Sequence, residues 1–143
     1  MVKMRFETVK GPFEGALDES PIARALVQQL PITSTVMRWG DEIYFDVPVR
    51  MANTQPTRDV RVGDIAYWPD GPCLCVFFGK TPASNANEPR PASDVTVIGH
   101  TDATVERLRA IAEGTRMTVE RAIPAEASAP ASRPWPARTR PTS

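Results

Sequence analysis

Apolar and polar residues alternate along several short segments of this 143-residue chain. At the N-terminus Val2, Met4 and Phe6 alternate with charged residues, which is the period of a strand with one buried face. The same alternation, with turn residues between the segments, predicts about eight strands. They lie at residues 2–9, 13–17, 32–39, 42–49, 64–68, 73–78, 94–98 and 116–123.

Two pairs of these strands are predicted to form hairpins. Gly40-Asp41 separates the third and fourth strands, and the run from Pro69 to Pro72 separates the fifth and sixth. Glycine can adopt the positive φ that a tight turn needs. The second arm of the later hairpin, Cys73 to Phe78, is apolar on both faces and is predicted to be the most buried strand. The polar stretches 50–62 and 82–93 are predicted to be surface loops.

Two amphipathic helices are also predicted. Ser20 followed by Pro21 is typical of a helix start, and a second helix is expected to begin at Thr101 or Asp102 and to end at Gly114. Their apolar faces comprise Ile22, Leu26 and Leu30, and Val105, Leu108, Ile111 and Ala112. A closed barrel of about eight strands, with a helix capping each end, is the economical way to bury both sheet faces.

Composition sets the domain organisation and restricts the partners. Residues 124–143 are mostly Pro, Ala, Ser, Thr and Arg, with Trp135 as the only large apolar residue. They are predicted to be a disordered tail that follows a single domain at residues 1–123. The 17 basic and 17 acidic side chains cancel, so neither nucleic acid nor a membrane surface is an expected partner. With no long apolar run and no signal-peptide pattern, a cytoplasmic location is expected.

The two cysteines, Cys73 and Cys75, would share one face of a strand. A disulfide between residues two apart in an extended chain would be strained, and two thiols with one distant histidine are too few for a closed zinc site. Reduced cysteines acting as small apolar wall residues are therefore predicted. No metal and no cofactor is expected.

Three stretches carry a family resemblance: Val62 to Gly71, Val76 to Pro82, and Val97 to His100. Together with the turn and strand at Gly40 to Phe45, they resemble a family of small prokaryotic cyclophilin-like proteins, largely of unknown function. The resemblance covers about residues 2–123. It implies a mainly β fold, a closed cyclophilin-like barrel.

The same resemblance bears on prolyl isomerisation. Phe78 falls where true cyclophilins place a phenylalanine in the proline pocket. Their catalytic arginine comes from a Phe-His-Arg segment that this chain lacks; Arg50, Arg58 and Arg61 lie in that region, and spacing selects none of them. Their pocket histidine would map near Val95. The resemblance thus implies the barrel and leaves the catalytic residues unassigned.

Candidate ligand-binding residues come from the aromatic set and the single histidine. His100 could act as a general base or a ligand group, or bond backbone or solvent near a helix start. The hairpin aromatics could fill the core or bound an apolar pocket. Our candidates are Phe78, Trp68, Tyr44 and His100.

Four carboxylates come near hairpin turns without a spacing typical of paired-carboxylate catalysis, and are predicted to be solvated: Glu14, Asp41, Glu42 and Asp46. Three functions remain in play. The protein could be a binding module for a small molecule or an extended peptide. It could also be an enzyme, either a peptidyl-prolyl isomerase-like one with weak or altered activity or an uncharacterised small-molecule enzyme. It could also have a structural role as a homodimer.

Overall fold

The computed structural model describes residues 1–122, which contain nine antiparallel strands and two helices. In chain order they are β1 (Val2–Thr8), β2 (Gly11–Leu17), α1 (Pro21–Gln28), β3 (Ile32–Thr35), β4 (Met37–Arg38), β5 (Glu42–Asp46), β6 (Asp64–Trp68), β7 (Cys73–Phe77), β8 (Thr96–Thr101), α2 (Val105–Arg109) and β9 (Arg116–Arg121). The predicted tail at 124–143, including Trp135, lies outside the described residues. No helix within residues 1–122 is long and apolar enough to cross a membrane.

The strands form one sheet that curls into a nearly closed barrel. Hydrogen bonds connect them in the order β3-β9-β1-β2-β8-β6-β7-β5-β4. The two outermost strands, β3 and β4, are consecutive in the chain and are joined by Val36. Its N–H donates to the Thr115 carbonyl, and its carbonyl accepts from the Gly114 N–H, both at 2.8 Å. The chain itself therefore crosses the seam between the two sheet edges.

This seam corrects one sequence prediction. Residues 32–39 were expected to form a single hairpin arm against 42–49. Instead β3 pairs with β9, and only β4 pairs with β5. The Gly40 turn is where expected, with φ 62°, and an added Cβ there would lie 2.8 Å from the Lys80 carbonyl oxygen. That position therefore requires glycine both for its backbone conformation and for space.

The second helix is shorter than predicted and begins later. Its N-cap is Thr104, whose hydroxyl accepts from the Arg107 N–H at 3.1 Å. Thr101 is still part of β8, where its hydroxyl donates to the Glu14 carbonyl at 2.5 Å. The Thr101 hydroxyl also accepts from the Ala103 N–H at 3.1 Å, but this bond lies ahead of the helix, which begins only after Thr104.

The barrel interior holds the main core. Leu74 and Val76 of β7 belong to it, and both helices contribute, with Ile22 from α1 and Leu108 from α2. All five residues of β7 are buried, which confirms the prediction for this strand. Burial on its second face requires another layer outside the barrel.

The outer layer consists of the two predicted loops, which cross the outer face of β5, β7 and β6. A second apolar cluster lies between the sheet and the loops and comprises Val60, Ala66, Cys73, Cys75, Phe77 and Val95. Thr57 and Val95 exchange backbone hydrogen bonds of 2.9 and 3.0 Å, which join the first loop to the short segment between the second loop and β8. The loops thereby act together as a cover over this face.

Candidate functional site

A cavity of about 170 Å³ lies on this covered outer face. Strands β5, β6 and β7 form its floor, and the segment before β8 forms its other wall. The lining residues are Trp39, Glu42, Tyr44, Trp68, Cys75, Pro91, Ala92 and Val95. The cavity therefore has largely apolar walls with a single carboxyl group among them.

Glu42 is the ionisable group of the cavity. It begins β5, pairs with Phe77 of β7, and is only 5% exposed. Burial raises the pKa of Glu42 from 4.5 to about 7, although a hydrogen bond with the Cys75 side chain opposes the shift. Its Oε1 has no hydrogen-bond partner within residues 1–122. The prediction that Glu42 is a solvated turn charge is wrong, because the residue lies in a strand whose outer face is covered.

Two buried thiols lie on the same face of β7. Cys75 is opposite Tyr44 in the register, and burial, reinforced by the nearby Glu42 carboxyl, raises its pKa well above the usual value. Cys73 donates to Asp46 Oδ1 at 3.3 Å, and burial followed by this bond raises its pKa to about 12. Both cysteines are free and buried, as the sequence predicts.

Tyr44 and Trp68 are two of the three aromatic residues that line the cavity, the third being Trp39. The ring centroids of Tyr44 and Trp68 are 6.2 Å apart and the ring planes meet at 85°. Trp68 Nε1 donates to Ser93 Oγ at 2.6 Å, and Ser93 Oγ donates to Asp70 Oδ2 at 2.8 Å. This chain of bonds fixes the indole ring and attaches the covering loop to the β6–β7 turn.

The other two candidate residues lie elsewhere. Phe78 is 1% exposed and belongs to the barrel interior. His100 is half exposed, with Nδ1 3.6 Å from Asp64 Oδ1 and Nε2 3.4 Å from Asp102 Oδ1, and it lines a separate, open depression. The structure therefore brings Tyr44 and Trp68 together but not Phe78 or His100.

The three loop arginines do not line the cavity either. Arg58 pairs with Asp94 at 3.1 Å, while Arg50 and Arg61 are exposed. The guanidinium that lies over the Phe78 ring belongs to Arg38, at 5.4 Å from the ring centroid. Sequence reasoning did not single out Arg38.

Arg38 is held in place by backbone carbonyls. Its Nη1 donates to the carbonyls of Arg109 and Ile111 at 3.1 and 3.0 Å, and its Nη2 donates to the Gly40 carbonyl at 3.0 Å. The side chain thus links β4 to the end of α2. Its donors bond backbone carbonyls, and Arg38 does not line the outer-face cavity.

The chemistry available at the site is limited by its largely apolar walls and by the protonation of its ionisable groups. Within residues 1–122 no group of three or more His, Cys, Asp or Glu side chains is arranged to hold a metal ion. The thiols are poor nucleophiles, since their raised pKa values keep them protonated at neutral pH. The Glu42 carboxyl, in contrast, can gain or lose a proton near neutrality.

Comparison with known proteins identifies the family. The model of the cyclophilin-like family matches residues 1–120, and the chain belongs to that family. It is similar to the solution structure of the hypothetical protein AF2241 from Archaeoglobus fulgidus, with 42% sequence identity and a TM-score of 0.73. The match covers 85% of this chain and 95% of that chain. None of the curated proteins compared matches the sequence.

Proposed function

We propose that this protein binds a small molecule in the outer-face cavity. The observation that carries the proposal is the Glu42 carboxyl. The residue is only 5% exposed, and its Oε1 has no hydrogen-bond partner within residues 1–122. A buried polar atom without a hydrogen bond is costly, and such atoms are rare in folded proteins. A ligand in the cavity would supply the missing partner.

The aromatic walls support the same proposal. Ligand pockets are mostly apolar and contain a few polar groups that orient the ligand. Tyr44 and Trp68 provide two large apolar surfaces beside Glu42, and the bond from Trp68 to Ser93 holds one of them in a fixed orientation. The cavity is therefore preorganised on the side that a ligand would contact.

Cavity size favours a small molecule over an extended peptide. An apolar cavity of about 150 Å³ accommodates one benzene ring, and the volume here is about 170 Å³. A ligand of one ring, or of similar bulk, would fill it. An extended peptide would need a groove several residues long.

A thermal-shift screen with a library of small metabolites tests this proposal. Ala92 is on the rim of the cavity, so Ala92→Trp would fill the entrance, whereas Ala86→Trp adds the same side chain to an exposed position of the same loop. We expect at least one compound to raise the Tm of the unmodified protein and of Ala86→Trp, but not that of Ala92→Trp. If no compound raises the Tm, or if Ala92→Trp responds equally, the proposal is wrong.

The remaining functional alternatives have less support. Prolyl isomerisation through Phe78 would require access to a side chain that is 1% exposed. A cytoplasmic location and a homodimer remain predictions from the sequence.

A further inference from the structure

The cavity combines three aromatic side chains with one carboxyl group and contains no basic side chain. Trp39, Tyr44 and Trp68 contribute the rings, and Glu42 contributes the carboxyl. From this combination we infer that the ligand is a small organic cation of the methylated-ammonium class. This inference rests on the proposed function and specifies the chemistry of its ligand.

The aromatic rings provide the first reason. The face of an aromatic ring carries a partial negative charge and attracts cations within about 6 Å, most strongly for Trp. Tyr44 and Trp68 meet at 85°, so they form a corner, and Trp39 contributes a further indole to the same cavity. Such a corner can surround a compact cation on more than one side.

The distribution of charge provides the second reason. The titratable side chains that line the cavity are Glu42, Tyr44 and Cys75, and the Glu113 carboxyl is close enough to raise the pKa of Tyr44. All of these groups are neutral or negative near pH 7, and none of the lining residues is Lys, Arg or His. The local field therefore favours a positive ligand over a neutral or an anionic one.

The cavity side chains offer few hydrogen-bond acceptors, and this favours a methylated ammonium ligand over a primary one. A primary ammonium has three N–H donors and needs an acceptor for each when it leaves water. Among the lining side chains Glu42 is the strong acceptor, and Pro91, Ala92 and Val95 offer apolar side chains. A cation whose N–H groups are replaced by methyl groups loses less hydration and packs against these walls.

Cation binding also has a consequence for protonation. Because burial holds the pKa of Glu42 near 7, a substantial fraction of the carboxyl is protonated at neutral pH in the empty cavity. A bound cation favours the carboxylate, so binding would release a proton below about pH 7. Affinity for a cation should therefore rise between pH 6 and pH 8.

Choline and its uncharged carbon isostere, 3,3-dimethyl-1-butanol, are the probes for this inference. The two molecules have nearly the same shape, so the difference in their affinities reports the charge. At pH 8 we expect choline to bind at least about tenfold more tightly than 3,3-dimethyl-1-butanol, as measured by the chemical shifts of the Trp indole N–H groups. Glu42→Gln and Tyr44→Leu should each reduce the preference for choline severalfold. Glu14→Gln, which removes an exposed carboxylate on β2, should leave it unchanged.

The outcomes separate this inference from the proposed function. If the alcohol binds as tightly as choline, or if Glu42→Gln keeps the full preference, the inference is wrong while small-molecule binding stands. If neither probe binds but a neutral or anionic library compound does, the cation class is again wrong. If no compound shifts the indole signals or the Tm, the proposed function itself fails.

Discussion

Glu42 and Cys75 are neighbours on the outer face of the barrel, on the adjacent strands β5 and β7, and their exposures are only 5% and 1%. Each side chain affects the pKa of the other, yet burial dominates the titration of both groups and raises both pKa values. Each group is therefore most stable in the folded protein when it carries its proton. The effect of Glu42 on stability and the effect of burial on thiol reactivity can both be measured without a ligand.

The first prediction concerns stability against pH. The pKa of Glu42 is about 7 in the folded protein against 4.5 in the unfolded chain, so between these values the folded state keeps a proton that the unfolded chain releases. The contribution of Glu42 to the free energy of unfolding should thus be highest below pH 4.5, fall as the pH rises to 7, and then level off. The total loss is roughly 3 kcal/mol, measured by urea denaturation at a series of pH values.

Glu42→Gln provides the comparison for that prediction. The amide has nearly the same shape and cannot ionise, so the variant should lack this fall and be more stable than the unmodified protein at pH 8. Glu14→Gln, at an exposed position, should follow the unmodified protein. Parallel stability curves for Glu42→Gln and the unmodified protein would show that Glu42 is not buried as described.

The second prediction concerns thiol reactivity. With the pKa of Cys73 at about 12, only about one Cys73 thiol in ten thousand is ionised at pH 8. The raised pKa of Cys75 also disfavours its thiolate, and both thiols are buried. We expect no rapid reaction of the folded protein with Ellman's reagent, and release of two equivalents once urea unfolds it. Rapid titration of either thiol in the folded protein would contradict the buried outer face.

Much of the fold follows from local sequence signals. The alternation at Val2, Met4 and Phe6 and the turn signals around Gly40 and Pro69 correspond to observed strands and hairpins. The division of residues 32–39 into two strands could not be predicted, because the choice of partner for each half is made by barrel closure at Val36. No local pattern encodes which of two distant strands a segment will pair with.

The site could be predicted only in part. The sequence indicates Tyr44 and Trp68 as aromatic candidates, but it predicts a solvated carboxylate at Glu42, because the residue begins its strand next to the turn at Gly40-Asp41. A signal was present: Cys75 lies in a strand that is apolar on both faces, so the outer face of its neighbours must also be covered. Glu42 alternates with Ile43 and shares its face with Tyr44, which places it under that cover.

The third prediction concerns Arg38. Its guanidinium bonds three backbone carbonyls and lies over Phe78, so Arg38→Met should lower the free energy of unfolding by roughly 2 kcal/mol. Arg38→Lys should recover little of this loss, because an ammonium lacks the planar fork of donors. Arg58→Met removes only an exposed ion pair and should change stability by less than about 0.5 kcal/mol. Equal urea midpoints for Arg38→Lys and the unmodified protein would rule out this role.

The last prediction is that the protein shows little or no prolyl isomerase activity. The uncatalysed barrier is about 18–20 kcal/mol, and lowering it requires a donor positioned beside the prolyl amide. Phe78, which by family resemblance would contact the proline, is 1% exposed. The guanidinium above it, that of Arg38, is already bonded to backbone carbonyls. We expect cis/trans exchange of an Ala-Pro peptide, followed by NMR, to stay within about twofold of the uncatalysed rate. Acceleration to cyclophilin-like levels that is abolished by an alanine substitution at Arg50, Arg58 or Arg61 would contradict this and assign catalysis to that loop arginine.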